Sequence, residues 1–76
     1  MDAKKLVRMA NQIADNFNYG ADRGKAVAGV VDHLSRFWTL AMKRSIVEYQ
    51  QSGGTGLNEL AAEAVVGLAD SISDPA

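Results

Sequence analysis

Val27-Ala28-Gly29-Val30-Val31-Asp32-His33-Leu34-Ser35-Arg36-Phe37-Trp38 is the stretch on which the fold turns, because it opens like a strand and continues like a helix. Val27, Val30 and Val31 are β-branched, a residue type enriched in strands. A strand, however, alternates its faces with a period of two. Here apolar residues recur at 27, 30, 31, 34, 37 and 38, the three- and four-residue spacing of one helix face. The period persists well past the valines, so the stretch is predicted to be a helix from near Asp22 to about Trp38.

The flanking segments follow the same rule. Leu6, Met9, Ala10, Ile13 and Phe17 predict a helix from about Asp2 to Asn18. The Asp2 carboxylate can accept from first-turn amides, and Asn18-Tyr19-Gly20 supplies a stop. On the other side, Thr39 is a candidate break whose hydroxyl can cap a third helix. That helix runs through Met42, Ile46 and Tyr49 to Ser52-Gly53-Gly54. The last helix is expected to start at Asn58 as N-cap, with Glu59 well placed for the helix dipole. Its stripe is Leu57, Leu60, Ala61, Ala64, Leu68 and Ile72, and Asp74-Pro75-Ala76 is expected to fray. The expectation is an all-α protein, one helical domain over residues 1–76 built as a compact bundle of four short helices. Leu6, Met9, Ile13, Val30, Leu34, Phe37, Ile46 and Leu68 are expected to form most of its core.

Size and composition narrow the chemistry. A chain of 76 residues buries only roughly 60% of its unfolded surface, so its independent stability is marginal. Disulfides, a metal or a partner usually offset that. With no cysteine, disulfides, thiolate nucleophiles, iron–sulfur ligands and cysteine zinc sites are closed off. One histidine cannot build a histidine-rich metal site, which leaves a partner, either a copy of the chain or a different protein. At 47% hydrophobic and 22% charged the composition is globular. No apolar run approaches the ~18 residues of a membrane span, and Met1-Asp2-Ala3-Lys4-Lys5 leads into no signal-peptide core. A cytoplasmic location is expected.

The net charge of −1 hides an asymmetry. Residues 1–44 carry all eight Lys and Arg against four acids, net +4, whereas residues 45–76 carry five acids and no base, net −5. Such a split can steer an encounter or orient docking.

No catalytic constellation is found. Ser52-Gly53-Gly54-Thr55-Gly56 lacks the preceding strand and the following Lys-Ser or Lys-Thr of a phosphate loop. It reads as a helix C-cap and turn. His33 is the one residue of the type whose unperturbed pKa lies near neutrality. Its helical neighbours Gly29, Val30, Arg36 and Phe37 supply neither nucleophile nor acid, so a packed or hydrogen-bonded role is expected. Asp70-Ser71-Ile72 resembles a phosphopantetheine attachment triplet but sits too close to the end of the sequence.

Arg36, Phe37, Trp38, Lys43 and Arg44 interleave basic and aromatic residues. They could contact nucleic acid in a helix-turn-helix arrangement, but the acidic second half and a sequence pI of about 5.6 oppose the strong basic field such binding draws on. A protein interface fits better, since Trp, Tyr and Arg are enriched at binding hot spots. Phe37 and Trp38 point about 100° apart on a helix, so one can face the core and leave the other partly outside. On the first helix Arg8, Asn11, Gln12 and Asp15 form a polar stripe. Arg8, Asn11, Gln12, His33, Arg36 and Trp38 are the candidate interface residues, with no catalytic, cofactor-binding or metal-binding residue assigned.

Three motifs resemble a known family. Leu6-Val7-Arg8-Met9-Ala10-Asn11-Gln12-Ile13-Ala14, His33-Leu34-Ser35-Arg36-Phe37-Trp38 and Gly53-Gly54-Thr55-Gly56-Leu57 are similar, in order and spacing, to the delta subunit of NAD-dependent formate dehydrogenases. The resemblance runs from about Lys4 to Leu68. It implies a small cytoplasmic accessory subunit, without an active site of its own, of a molybdenum- or tungsten-containing complex that oxidises formate to carbon dioxide and reduces NAD. It further implies that larger subunits, the catalytic one foremost as partner, hold the bis-molybdopterin guanine dinucleotide, iron–sulfur clusters, FMN and NAD. Apart from the resemblance, a free-standing homodimer stays open as an alternative for the chain in isolation. Where the family continues after the tryptophan with Asp-Pro-Arg-Met-Arg, this chain has Thr39-Leu40-Ala41-Met42-Lys43. Thr39 can cap in place of Asp. Without proline to pre-set the first turn, a continuous or kinked helix stays open.

Overall fold

The computed structural model describes residues 2–17 and 22–72. Four α-helices follow one another, α1 (Ala3–Phe17), α2 (Arg23–Phe37), α3 (Leu40–Gln51) and α4 (Glu59–Ile72). Among the described residues there is no strand, so the valine-rich stretch is helical, as its period requires.

Each helix start carries its own cap. Asp2 Oδ1 accepts from the Lys4 amide at 3.0 Å, and Asp22 Oδ1 from the Lys25 amide at 3.1 Å. Asn58 Oδ1 accepts from the Ala61 amide at 2.8 Å. These carboxylate and amide oxygens satisfy amides that have no intrahelical partner. The expected stop at Asn18-Tyr19-Gly20 and the expected frayed end at 74–76 lie outside the described residues.

The α2–α3 corner resolves the alternative left by the missing proline. Trp38 leaves helical geometry at φ −89°, ψ 143°, and its amide still donates to the Leu34 carbonyl. Thr39 follows at φ −67°, ψ 161°, with Oγ1 accepting from the Met42 amide at 3.2 Å. The helix is therefore broken and recapped within two residues, without proline. Lys43 Nζ donates to the Ser35 carbonyl at 3.3 Å, satisfying one of the last carbonyls of α2.

The α3–α4 connection uses different chemistry. The Gly53 amide donates to the Gln50 carbonyl and the Gly54 amide to the Tyr49 carbonyl, the pair of bonds of a Schellman closure. Gly54 at φ 64° and Gly56 at φ 96° adopt backbone that a side chain would strain.

Packing centres on α4, which lies against α1, α2 and α3. Leu34, Ile46, Leu68, Val30 and Val65 are its largest fully buried neighbours and members. Close approach relies on small residues, Ala61 and Ala64 being fully buried. Gly67 lets α2 in, since a Cβ there would sit 3.2 Å from Val31 Cγ2. Two expectations for the core need correcting. On α1 the buried residues are Leu6, Val7, Ala10 and Ala14, with Met9 and Ile13 half-buried beside them. At the α2 C-terminus Phe37, expected inside, is 70% exposed, and Trp38 is buried at 6%. The cause is the cap: Trp38 sits on extended backbone, where the 100° helical step no longer decides direction.

Candidate protein interface

The sequence-predicted interface residues fall into two groups. Arg8, Gln12 and Arg36 are exposed, and His33 is half-buried. Asn11 and Trp38, by contrast, are engaged within the chain. Asn11 Nδ2 donates to the Gly56 carbonyl and Asn11 Oδ1 accepts from the Asn58 amide, both at 2.8 Å. One side-chain amide thus ties α1 to both ends of the segment entering α4. Asn58 Nδ2 adds a longer bond to Asp15 Oδ1, 3.4 Å, and the Tyr49 hydroxyl donates to the Thr55 carbonyl. Trp38 belongs to the core cluster, so its ring is not presented to a partner by the folded chain.

Phe37 takes the outer position instead. His33 lies one turn before it, with ring centroids 4.8 Å apart and planes inclined at 46°. Behind His33 stands Phe17 of α1, edge-on at 6.3 Å and 68°. Gly29 makes room for this third ring, since a Cβ at that position would come within 2.7 Å of Phe17 Cδ1. Positions 29, 33 and 37 share one face of α2, so Phe17, His33 and Phe37 form a row along it. Leu40, the first residue of α3, is 51% exposed just across the corner.

The segment of chain that carries His33, Phe37 and Leu40 is net positive. Residues 32–44 contain three bases and one acid, net +2. Arg36 Nε donates to Asp32 Oδ1 at 3.2 Å, an exposed pair one helical turn apart. Arg44 makes no ion pair with any described residue. Farther away, Arg23 grips Glu63 through Nε and Nη2 at 3.1 and 2.9 Å and lies 3.7 Å from Glu59. The hydrogen bonds to Glu63 raise the Arg23 pKa above its ordinary value against a smaller desolvation effect, with both carboxylates' charges adding to the rise. As a solvent-exposed ion pair it orients α2 on α4 more than it stabilises them.

Two shallow grooves lie between α1 and α3. One, about 280 Å³, is lined by Ala3, Ser45, Glu48, Tyr49 and Ser52, and the other, about 220 Å³, by Lys5, Leu6, Met9 and Met42. Neither sets a nucleophile beside His33. Among the described residues no group of three His, Asp or Glu side chains is arranged to hold a metal ion. Without cysteine the chain offers no thiolate for an iron–sulfur cluster. No helix among the described residues is long and apolar enough to cross a membrane.

Sequence reading missed Phe17, Gly29 and Leu40. Gly29 offered a signal, because an isolated glycine inside a helical pattern marks a close approach of another element.

These features define a class: a small four-helix bundle whose polar clamps close on itself and whose half-buried aromatic row ends in an exposed Phe37. The model of the NADH-dependent formate dehydrogenase delta subunit family, FdsD, matches residues 5–65, which is most of the chain, and the chain belongs to that family. No curated protein and no solved structure matches it.

Proposed function

We propose that this chain is a non-catalytic accessory subunit of a cytoplasmic NAD-dependent formate dehydrogenase, docking on a larger cofactor-bearing subunit and supporting assembly or stability of the complex. The observation that carries this reading is the family match over residues 5–65. The chemistry is consistent with it. Formate oxidation needs a redox centre, and this chain has no cysteine thiolate and, among its described residues, no clustered metal ligands. The bis-molybdopterin guanine dinucleotide, iron–sulfur clusters, FMN and NAD site belong, on this reading, to the larger subunits, with the catalytic subunit as the contact. Arg8, Gln12, His33 and Arg36 are its contact residues, while Asn11 and Trp38 hold the surface that presents them.

The test is an affinity pull-down of the tagged chain from its native cytoplasm, with bound proteins identified by mass spectrometry. Deletion of the chain is then followed by assay of NAD-linked formate oxidation and of complex yield. Recovery of a large molybdopterin-containing subunit, with complex yield falling on deletion, is the expected result. Recovery of the chain alone, with unchanged formate oxidation after deletion, overturns the proposal.

A further inference from the structure

Phe37 is an anomaly in a chain short of core. Seventy per cent of it faces outward. Its ring is nevertheless held. His33 packs against it at 4.8 Å, Phe17 backs His33, and the missing Cβ of Gly29 seats Phe17. An exposed aromatic with its inner side braced is a pre-organised anchor, because less side-chain freedom is lost when a partner covers it. Leu40 extends the apolar area across the corner, and Arg36 and Arg44 stand in the same net-positive segment.

Resting on the accessory-subunit reading above, we propose that Phe37 and Leu40 form the centre of the docking surface. The occupant is an apolar socket on the partner subunit ringed by carboxylates. Charge selects this occupant over a second copy. A two-fold dimer built on this face would bring its net-positive segment against an identical net-positive segment, since such an interface uses the same patch twice. Charge also selects it over nucleic acid. Of the three bases in residues 32–44, Arg36 already holds Asp32 and Lys43 already holds the Ser35 carbonyl. The segment is net +2 only, whereas non-specific nucleic-acid binding rests on many phosphate contacts. A carboxylate rim asks for less: one or two charges around an aromatic anchor set orientation and association rate.

The experiment co-expresses the tagged chain with the large formate dehydrogenase subunits and compares wild type with Phe37→Glu, Phe37→Gln, Arg44→Glu and Val66→Glu. Val66 is an apolar residue of α4 that is 49% exposed, so it controls for adding a charge to an exposed apolar position. Thermal melts of each purified variant establish folding. Both Phe37 variants are expected to melt as wild type and to recover at least about ten-fold less partner, as loss of a hot-spot aromatic implies. Arg44→Glu should lose several-fold, by a factor that shrinks as salt is added, and Val66→Glu should bind as wild type. If wild type recovers the large subunits and folded Phe37→Gln does so equally well, the docking surface lies elsewhere and the accessory-subunit reading stands. If wild type recovers none, both fall. A wild-type dimer in sedimentation that Phe37→Gln abolishes would overturn the proposal in favour of self-association. Salt-sensitive retention of a single-stranded oligonucleotide, lost in Phe37→Gln, would overturn it in favour of nucleic acid.

Discussion

The two connections on either side of α3 reverse the chain by opposite means. Between α3 and α4, residues 52–58 are tied down from several directions: the Schellman bonds, three glycines at positive φ, the Tyr49 hydroxyl on Thr55 and the Asn11 amide on Gly56 and Asn58. Many of its polar groups are answered inside the chain. Between α2 and α3 the turn takes two residues and no glycine, capped by Thr39 and closed by Lys43 on Ser35. That corner satisfies its backbone but leaves Phe37 and Leu40 uncovered. One connection is clamped by bonds to α1, α3 and α4, and the other is capped but leaves apolar surface exposed. The difference teaches where a partner is needed: water can solvate a loose polar loop, but it cannot favourably cover a braced aromatic.

The comparison breaks most visibly at Trp38, the buried half of the corner. Trp38→Ala should cost about 3–5 kcal/mol from lost transfer and the cavity left behind. A domain of this length has on the order of 4–11 kcal/mol in total, so a large loss of thermal stability by circular dichroism is expected. Partner binding would then fall because the fold is lost. A variant that melts as wild type would show that Trp38 is not part of the core.

Next in size is the clamp on the glycine loop. Asn11→Ala removes two hydrogen bonds and leaves the part-buried Asn58 amide without its acceptor. Such an orphaned group costs about 1–3 kcal/mol, read as a lowered urea midpoint with an unchanged slope. Because the clamp lies on the self-satisfied side of the comparison, the folded fraction should still recover its partner. Binding lost while the fold persists would instead make Asn11 a contact residue.

How much of this was legible from residues follows from the range of the chemistry involved. Asp22, Thr39 and Asn58 mark helix starts because a cap acts over three residues. The expected α1 core took the bulky members Met9 and Ile13 of the stripe, whereas Ala10, also in the stripe, and Ala14, outside it, are fully buried. Alanine adds little to a hydrophobic pattern yet permits the closest approach between helices. The order of Phe37 and Trp38 was not legible, because it depends on the backbone leaving the helix between them. The Asn11 clamp was hidden by separation along the chain, its partners Gly56 and Asn58 lying far beyond it in sequence.

A smaller effect concerns the departure from the family's Asp-Pro. Leu40 occupies the first helical position of α3, where the amide has no intrahelical acceptor, and Thr39 already has the extended backbone that a following proline requires. Leu40→Pro should therefore be tolerated. It should leave the urea midpoint unchanged or raise stability by up to about 1 kcal/mol, through a less flexible unfolded chain. Proline in a helix interior costs about 3 kcal/mol or more, so a strong destabilisation would mean that α2 and α3 are one kinked helix in solution.

The smallest change in stability is expected at the residue with the largest role in docking. Phe37→Ser removes a side chain that is mostly in water already, and exposed substitutions of this kind stay within about 0.5 kcal/mol. Its neighbour Trp38 should cost several times more, although the two are adjacent and chemically alike. That contrast is what a corner divided into an inner and an outer aromatic demands. Chemical denaturation of the two single variants side by side measures it directly. Equal losses would place both rings in one core and close the apolar surface on which docking at this corner depends. A loss confined to Trp38 leaves Phe37 free of any large structural task, which is what a residue kept for a contact outside the chain requires.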